Sequence, residues 1–389
     1  MSIFSHRPAI FAAEDLLIFQ ESARKFLAQH ATQADIERWK QQKVVDRDLW
    51  YKAAEMGFLG LSIPEEYGGA GADFRFEMVL TEALSEIGLE SFGVPMHNAV
   101  VAPYIVNYGT EAQKQRWLRK MTTGELISGI AMTEPGTGSD LRGIRTSARR
   151  DGDEYILNGQ KTYITNGQTA NLIGVVARIA NEGGSGLSVF FLDCEQGDPK
   201  GFTRGRNLQK IGLEASDTSE LFFSDLRIPA AHLLGEVEGA GLHQLMAKLP
   251  QERLILAGHA IAAIERALTL TIEFVKQRHA FGQPVIAFQN TQFKLAECKT
   301  EAKIGRVFVD YCLDLHLRGE LDQTTAAMVK YWISDLQCKV IDECLQLHGG
   351  AGYMLEYPIA QMYRDARAQR IYGGTNEIMK VLIGRSLTA

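Results

Sequence analysis

The periodicity of apolar residues changes twice along this chain, and that double switch limits what it can fold into more than any other feature. Over residues 13–121 apolar side chains recur at helical spacing, with breaks at Ile63-Pro64 and at the glycine cluster Gly68-Gly69-Ala70-Gly71. After Gly124 the period shortens. Residues 153–165 alternate around Asn158-Gly159, a dipeptide that favours a two-residue hairpin turn, and Asn166-Gly167 marks a second turn. Short apolar or β-branched runs at 172–177, 187–192 and 220–223 read as further antiparallel strands. Beyond Gly235 helical spacing returns in four long stretches, at about 239–278, 289–317, 322–348 and 358–387. The expected fold is α+β and multidomain: an N-terminal helical domain over 1–124, a middle antiparallel β domain over 125–233 and a C-terminal four-helix bundle over 234–389. With 389 residues, 46% of them hydrophobic, the chain can bury the cores that two or three domains need.

Composition excludes several functions. A net charge of −6 and the absence of a basic run argue against a nucleic-acid surface or a basic membrane patch. The five cysteines (Cys194, Cys298, Cys312, Cys338, Cys344) are odd in number and form no C-x-x-C pair, so neither a disulfide framework nor a zinc site is expected. They suit a reducing compartment, the cytoplasm first and a mitochondrial matrix as the alternative. No H-E-x-x-H or P-loop occurs, and no metal is expected. Gly136-Thr137-Gly138 is followed by Leu141, and Gly350-Ala351-Gly352 by Leu355, so neither completes a G-x-G-x-x-G dinucleotide turn. The start of the chain has Arg7 and a short apolar patch but no secretion signal, and no uninterrupted apolar run reaches the roughly 18 to 20 residues of a membrane helix.

Three segments carry candidate chemistry. Pro250-Gln251-Glu252-Arg253 reads as a helix opening, and from Glu252 the helical steps reach Ile255, Leu256, His259 and Ala263, which sets a carboxylate against apolar surface. Such an acid is either a first-turn glutamate favoured by the helix dipole or a desolvated general base. Gly373-Gly374 is either a turn requiring positive φ or a place where backbone must approach a ligand. Met132-Thr133-Glu134-Pro135-Gly136-Thr137-Gly138-Ser139-Asp140 is at least a strand ending in a Pro-Gly turn.

Together with His348-Gly349-Gly350-Ala351-Gly352-Tyr353, Arg364-Asp365 and Ile371-Tyr372-Gly373-Gly374-Thr375-Asn376-Glu377, these segments resemble the acyl-CoA dehydrogenases, flavoenzymes that oxidise acyl thioesters to enoyl thioesters. Many members carry the catalytic glutamate directly after the tail's Ile-Tyr, where this chain has Gly373. Leu249-Pro250-Gln251-Glu252-Arg253-Leu254 is similar to the long-chain and isovaleryl branches, whose base sits on this helix, so the resemblance implies Glu252 as the base. It also implies that the Gly373 N–H binds the thioester oxygen and that Ser139, Arg253, Gly373 and Gly374 meet the substrate. FAD is the implied cofactor, with Met132, Thr133, Gly138 and Ser139 on one side of its ring and Tyr163, Ile164 and Thr165 on the other. Arg278, Phe281 and Gln289 would reach the FAD of a neighbouring subunit, and Gln346, Gly349, Gly350, Thr375, Asn376 and Glu377 would complete the dinucleotide site. A homotetramer built as a dimer of dimers, with electron-transferring flavoprotein as acceptor, follows by the same resemblance. Three departures stand out: Tyr163 where Trp is common, Ile130 where Tyr is sometimes found, and Glu214 at a position that is commonly basic.

The resemblance favours long or methyl-branched acyl groups, with a short branched-chain enzyme of the isovaleryl type or a flavin oxidase or monooxygenase as rivals. The helix at about 92–108 is expected to frame the acyl pocket. Gly93 and Pro95 there are read as loosening it, and Phe92 as a residue that could narrow it.

Overall fold

The structure, a computed structural model, describes residues 8–180 and 186–388. Six helices come first: α1 (Glu14–His30), α2 (Gln33–Gln42), α3 (Arg47–Glu55), α4 (Phe74–Ile87), α5 (Ala102–Tyr108) and α6 (Glu111–Thr122). Thr32 and Thr110 start α2 and α6 with reciprocal capping boxes, each hydroxyl accepting from the third helical N–H. A π-helical turn at Met96–Val101 runs directly into α5.

Seven strands follow: β1 (Ser128–Ala131), β2 (Ser147–Asp151), β3 (Glu154–Thr165), β4 (Leu172–Ile179), β5 (Leu187–Asp193), β6 (Phe202–Asn207) and β7 (Thr218–Pro229). They form one sheet in the order β1-β4-β2-β3-β7-β6, with β5 also paired to β4. The sheet is mixed, which corrects the all-antiparallel expectation: β1 and β2 both run parallel to β4. Asn158-Gly159 is no hairpin turn either. β3 passes straight through it, and the reversal comes at Gly152-Asp153, between β2 and β3. A Cβ on Gly159 would stand 2.7 Å from the Thr146 Cα, and the β3–β7 register shifts between Leu157 and Gly159, so this glycine marks a bulge. The turn expected at Asn166-Gly167 is present.

The last third is α7 (Gly241–Gln277), a two-stranded hairpin of β8 (His279–Ala280) and β9 (Gln283–Pro284), α8 (Gln289–Leu317), α9 (Gln323–His348), α10 (Pro358–Ala366) and α11 (Asn376–Ser386). The stretch expected as one helix over 358–387 is therefore two. Gly373 and Gly374, at φ +67° and +89°, break it. α7 is the central rod: Leu254, Ile255, Ile261, Ile264 and Leu268 lie buried among Met78, Val309, Ile333 and Val340 from α4, α8 and α9. Contrary to the sequence expectation, α7 is long and apolar enough to cross a membrane on length and composition alone, yet 61% of that apolar stretch is buried inside the molecule. Where α4, α7 and α8 meet, buried Arg306 joins Glu82 at 2.8 Å and Glu265 at 2.7 Å.

Candidate active site

Glu252 lies about three turns inside α7, which begins at Gly241, so the first-turn dipole reading does not hold. The helix runs through Pro250, which has no N–H to give the Met246 carbonyl four residues back. The Gln323 side-chain amide, at the start of α9, donates to that carbonyl instead, and its oxygen accepts from Arg253 Nη1 at 2.9 Å. Proline thereby creates the anchor for Arg253, a side chain that is itself buried and whose Nε meets no partner. Glu252 keeps 7% of its surface and accepts the Tyr104 hydroxyl at 2.6 Å. Burial raises its pKa to about 7, while the Tyr104 bond and the Arg253 charge oppose that rise. The Gln251 amide donates to the Ala99 carbonyl at 2.8 Å and ties α7 to the π-helical turn.

The tail loop arrives on the same face. A Cβ on Gly373 would come within 2.4 Å of Leu256 Cδ1, one helical turn below Glu252, so glycine permits both the positive φ and the approach. Lys330 of α9, buried and pushed down to about 8 by desolvation, donates to the Gly374 carbonyl at 2.7 Å and to Asn376 Oδ1 at 3.0 Å. The Asn376 amide nitrogen continues to Ser334 Oγ and Asp335 Oδ1, both at 2.9 Å. Asn376 is thus consumed in scaffolding the loop, at 1% exposure, which corrects its assignment as a cofactor-contacting side chain. Thr375 caps α11 by accepting from the Ile378 N–H, and Glu377 follows in the first turn of that helix.

A β-sheet wall stands beside the helical pair. Glu134 accepts the N–H groups of Arg145 and Thr146 and pairs with buried Lys161 at 2.9 Å, and Lys161 also donates to the Met132 carbonyl at 2.9 Å. Burial pushes Lys161 down to about 8. Thr162 N–H donates to the Thr133 carbonyl at 2.9 Å, so the signature segment and β3 are laced together. Pro135-Gly136 forms the tip of a turn closed by paired Glu134 and Thr137 bonds, which is the structural half of what its sequence promised. Gly138 and Ser139 are exposed, Met132, Thr133 and Thr165 partly so, and Tyr163 is 69% exposed at φ +60°. Ile164 instead turns into the sheet's own core, so only its backbone faces this wall. Met132 packs against the cluster that contains Tyr104, whose hydroxyl holds Glu252.

The remaining predicted residues sit elsewhere. Arg278 follows the end of α7, about 39 Å of helix from Glu252. Phe281, 96% exposed, is on the β8–β9 hairpin, and Gln289 opens α8. Phe274 stacks on His348 with centroids 4.3 Å apart, which brings the end of α9, with Gln346, Gly349 and Gly350, to this same far end. One protomer does not unite the two groups. Sequence reasoning missed Tyr104, Gln323 and Lys330. A proline inside a helix could have flagged the need for Gln323, and a lone lysine in the apolar run of α9 could have flagged Lys330; nothing local marks Tyr104.

Two further expectations change. Glu214, read as an odd substitution, pairs with Arg364 and fastens the loop after β6 to α10. Gly93 does not loosen the helix: a Cβ there would stand 2.2 Å from Asn166 Oδ1, so its smallness allows close packing on the sheet. Phe92 packs edge-on to Trp50, 4.8 Å between centroids, in the N-terminal core.

Three family models match the chain: acyl-CoA dehydrogenase N-terminal domain over 13–125, middle domain over 129–226 and C-terminal domain over 239–388. The long-chain specific acyl-CoA dehydrogenase of Mus musculus mitochondria is 48% identical over 375 residues, covering 96% of this chain and 86% of that protein. The crystal structure of an acyl-CoA dehydrogenase from Geobacillus kaustophilus superposes with a TM-score of 0.93 at 46% identity, covering 100% of both chains. A Mycobacterium smegmatis glutaryl-CoA dehydrogenase in complex with FADH2 gives 0.89 at 29% identity, covering 97% of this chain and 95% of its own. With a helical, sheet and helical order that all three models match in turn, and with strong similarity to long-chain specific members, this chain belongs to the acyl-CoA dehydrogenase family.

Proposed function

We propose that this chain catalyses the FAD-dependent α,β-dehydrogenation of a long or methyl-branched acyl-CoA to the trans-2-enoyl thioester, with Glu252 as the base. The observation that carries this reading is a single buried carboxylate, held by Tyr104 on the face of α7 that also receives the Gly373 loop. Its pKa near 7 lets it take a proton at neutral pH, and the stronger the desolvation, the better the base. Glu252 would remove the α-proton of the thioester. The Gly373 N–H would donate to the thioester oxygen as negative charge develops there, and Lys330, by holding the Gly374 carbonyl, would keep that donor aimed. Arg253 and Ser139 would meet the substrate's polar portion.

The residues suit FAD. The sheet wall offers hydroxyls at Thr133, Ser139 and Thr165, an open edge at Gly138, and a Tyr163 ring held outside the core. When bound, the flavin would accept the hydride that leaves the β-carbon. Arg278, Phe281 and Gln289, with Gln346 to Gly350, would serve the adenosine and pyrophosphate portion of a neighbouring subunit's FAD, which their distance from Glu252 supports and which requires an oligomer, a homotetramer by our reading. Electron-transferring flavoprotein is the proposed acceptor. The test is anaerobic titration with palmitoyl-CoA while the flavin absorbance is followed. Wild type should bleach. Glu252→Gln should keep its flavin and lose at least ~10³-fold in reduction rate; near-normal bleaching by that variant would remove Glu252 as the base.

A further inference from the structure

We infer that the far end of the acyl channel is built to receive a hydroxyl group carried in mid-chain, so that the preferred substrate is a hydroxylated long-chain acyl thioester. This rests on the dehydrogenase reading above and specifies its substrate.

Between Glu252 and Ile264, in an otherwise buried stretch of α7, only Leu256 and His259 keep partial exposure. Both lie on the face of Glu252, one and two turns along. They mark empty space leading away from the base, and a charged CoA must stay toward solvent, so it is the acyl tail that runs this way. Leu256 also touches the Gly373 loop, which fixes the start of the path at the reacting carbons. The path ends in a cavity lined by Glu90, His259, Gln337, Met362, Asp365 and Gln369.

That end is polar where a plain alkyl chain would want apolar walls. Gln369 is 1% exposed, and both its amide nitrogen and its oxygen lack any hydrogen-bond partner; Gln337, 3% exposed, has an unpartnered oxygen. Orphaned amides buried at a cavity wall are costly unless something in the cavity completes them. A hydroxyl both donates and accepts, which is what the free pair on Gln369 offers and requires. A carboxylate would meet Glu90 and Asp365 instead. Asp365 has one oxygen engaged by Leu213 N–H and the Gln361 amide, which leaves the other available. Burial keeps His259 neutral, its pKa near 4, so its ring too can donate and accept.

Position follows from length. His259 lies seven residues beyond Glu252, about 10 Å along the helix. An extended chain advances roughly 1.2 Å per bond, so about eight bonds separate the α-carbon from this ring and place the hydroxyl near the tenth carbon.

The experiment compares reductive half-reaction rates and kcat/KM of the FAD-loaded enzyme for 10-hydroxyoctadecanoyl-CoA and octadecanoyl-CoA. Wild type should prefer the hydroxylated thioester roughly tenfold. Gln369→Leu, which removes an unsatisfied amide and so should fold at least as well, should abolish or reverse that preference while leaving octadecanoyl-CoA turnover within about twofold, and His259→Leu should weaken it. If wild type uses both thioesters equally, or prefers the unsubstituted chain by the same factor as Gln369→Leu, the cavity holds only structural water and the inference fails while the dehydrogenase reading stands. If neither thioester bleaches the flavin, both fail together.

Discussion

Glu252 and Tyr104 form the pair on which the chemistry turns. The base works only when ionised, so kcat/KM is expected to rise with pH through an acid limb near 7, the value that burial sets. Tyr104 donates to the ionised carboxylate and so favours that form. Removing it in Tyr104→Phe should raise the Glu252 pKa by roughly one unit or more, since a hydrogen bond to a charged group contributes about 1.5 to 3 kcal/mol. The acid limb then moves to higher pH, and at pH 7 activity drops through loss of the ionised fraction. A pH profile of flavin reduction for both proteins checks the sign; an unmoved limb would detach Tyr104 from the base. The acid itself could be picked out from sequence by its apolar surroundings, whereas its partner, 148 residues earlier in the chain, could not.

At the scale of elements, Pro250 shows how a local rule acquires a distant consequence. It interrupts the α7 hydrogen-bond ladder, frees the Met246 carbonyl and draws in Gln323 from α9, which then holds Arg253. Gln323→Met should cost about 1 to 3 kcal/mol of stability and raise KM for acyl-CoA more than it lowers kcat, because Arg253 loses its anchor. Pro250→Ala restores an N–H for Met246, so the double variant should recover stability relative to Gln323→Met alone. A double-mutant cycle from urea unfolding measures this coupling, and strict additivity would refute it. The broken final helix belongs to the same scale. Helical spacing continues across residues 358–387, but two consecutive glycines with positive φ, and a lysine that binds the carbonyl between them and α11, decide that the chain turns there.

For the whole molecule, the two groups of site residues are the decisive fact. Glu252, Gly373 and the sheet wall occupy one end of α7, and Arg278, Phe281, Gln289 and the glycines after α9 occupy the other. The bundle also leaves large apolar side chains outside, among them Phe281, Tyr353, Leu355 and Ile371, more than solvation alone accounts for. Phe281→Asp is expected to split the oligomer, seen as a smaller species by light scattering, and to release FAD in the same step, seen as loss of flavin absorbance after gel filtration. A smaller species that keeps its full flavin content would separate the hairpin from the cofactor.

The switches of periodicity determined the helical, sheet and helical order, and the residue types at 252 and 373 determined which helix carries the acid, because both are properties of short stretches read at the period of the backbone. Strand direction, the bulge at Gly159, the turn that splits the last helix, and the partners of Glu252, Arg253 and Gly374 were decided only in three dimensions. Each depends on contacts between residues far apart in the chain, where local propensity is weak beside the need to pair buried polar groups.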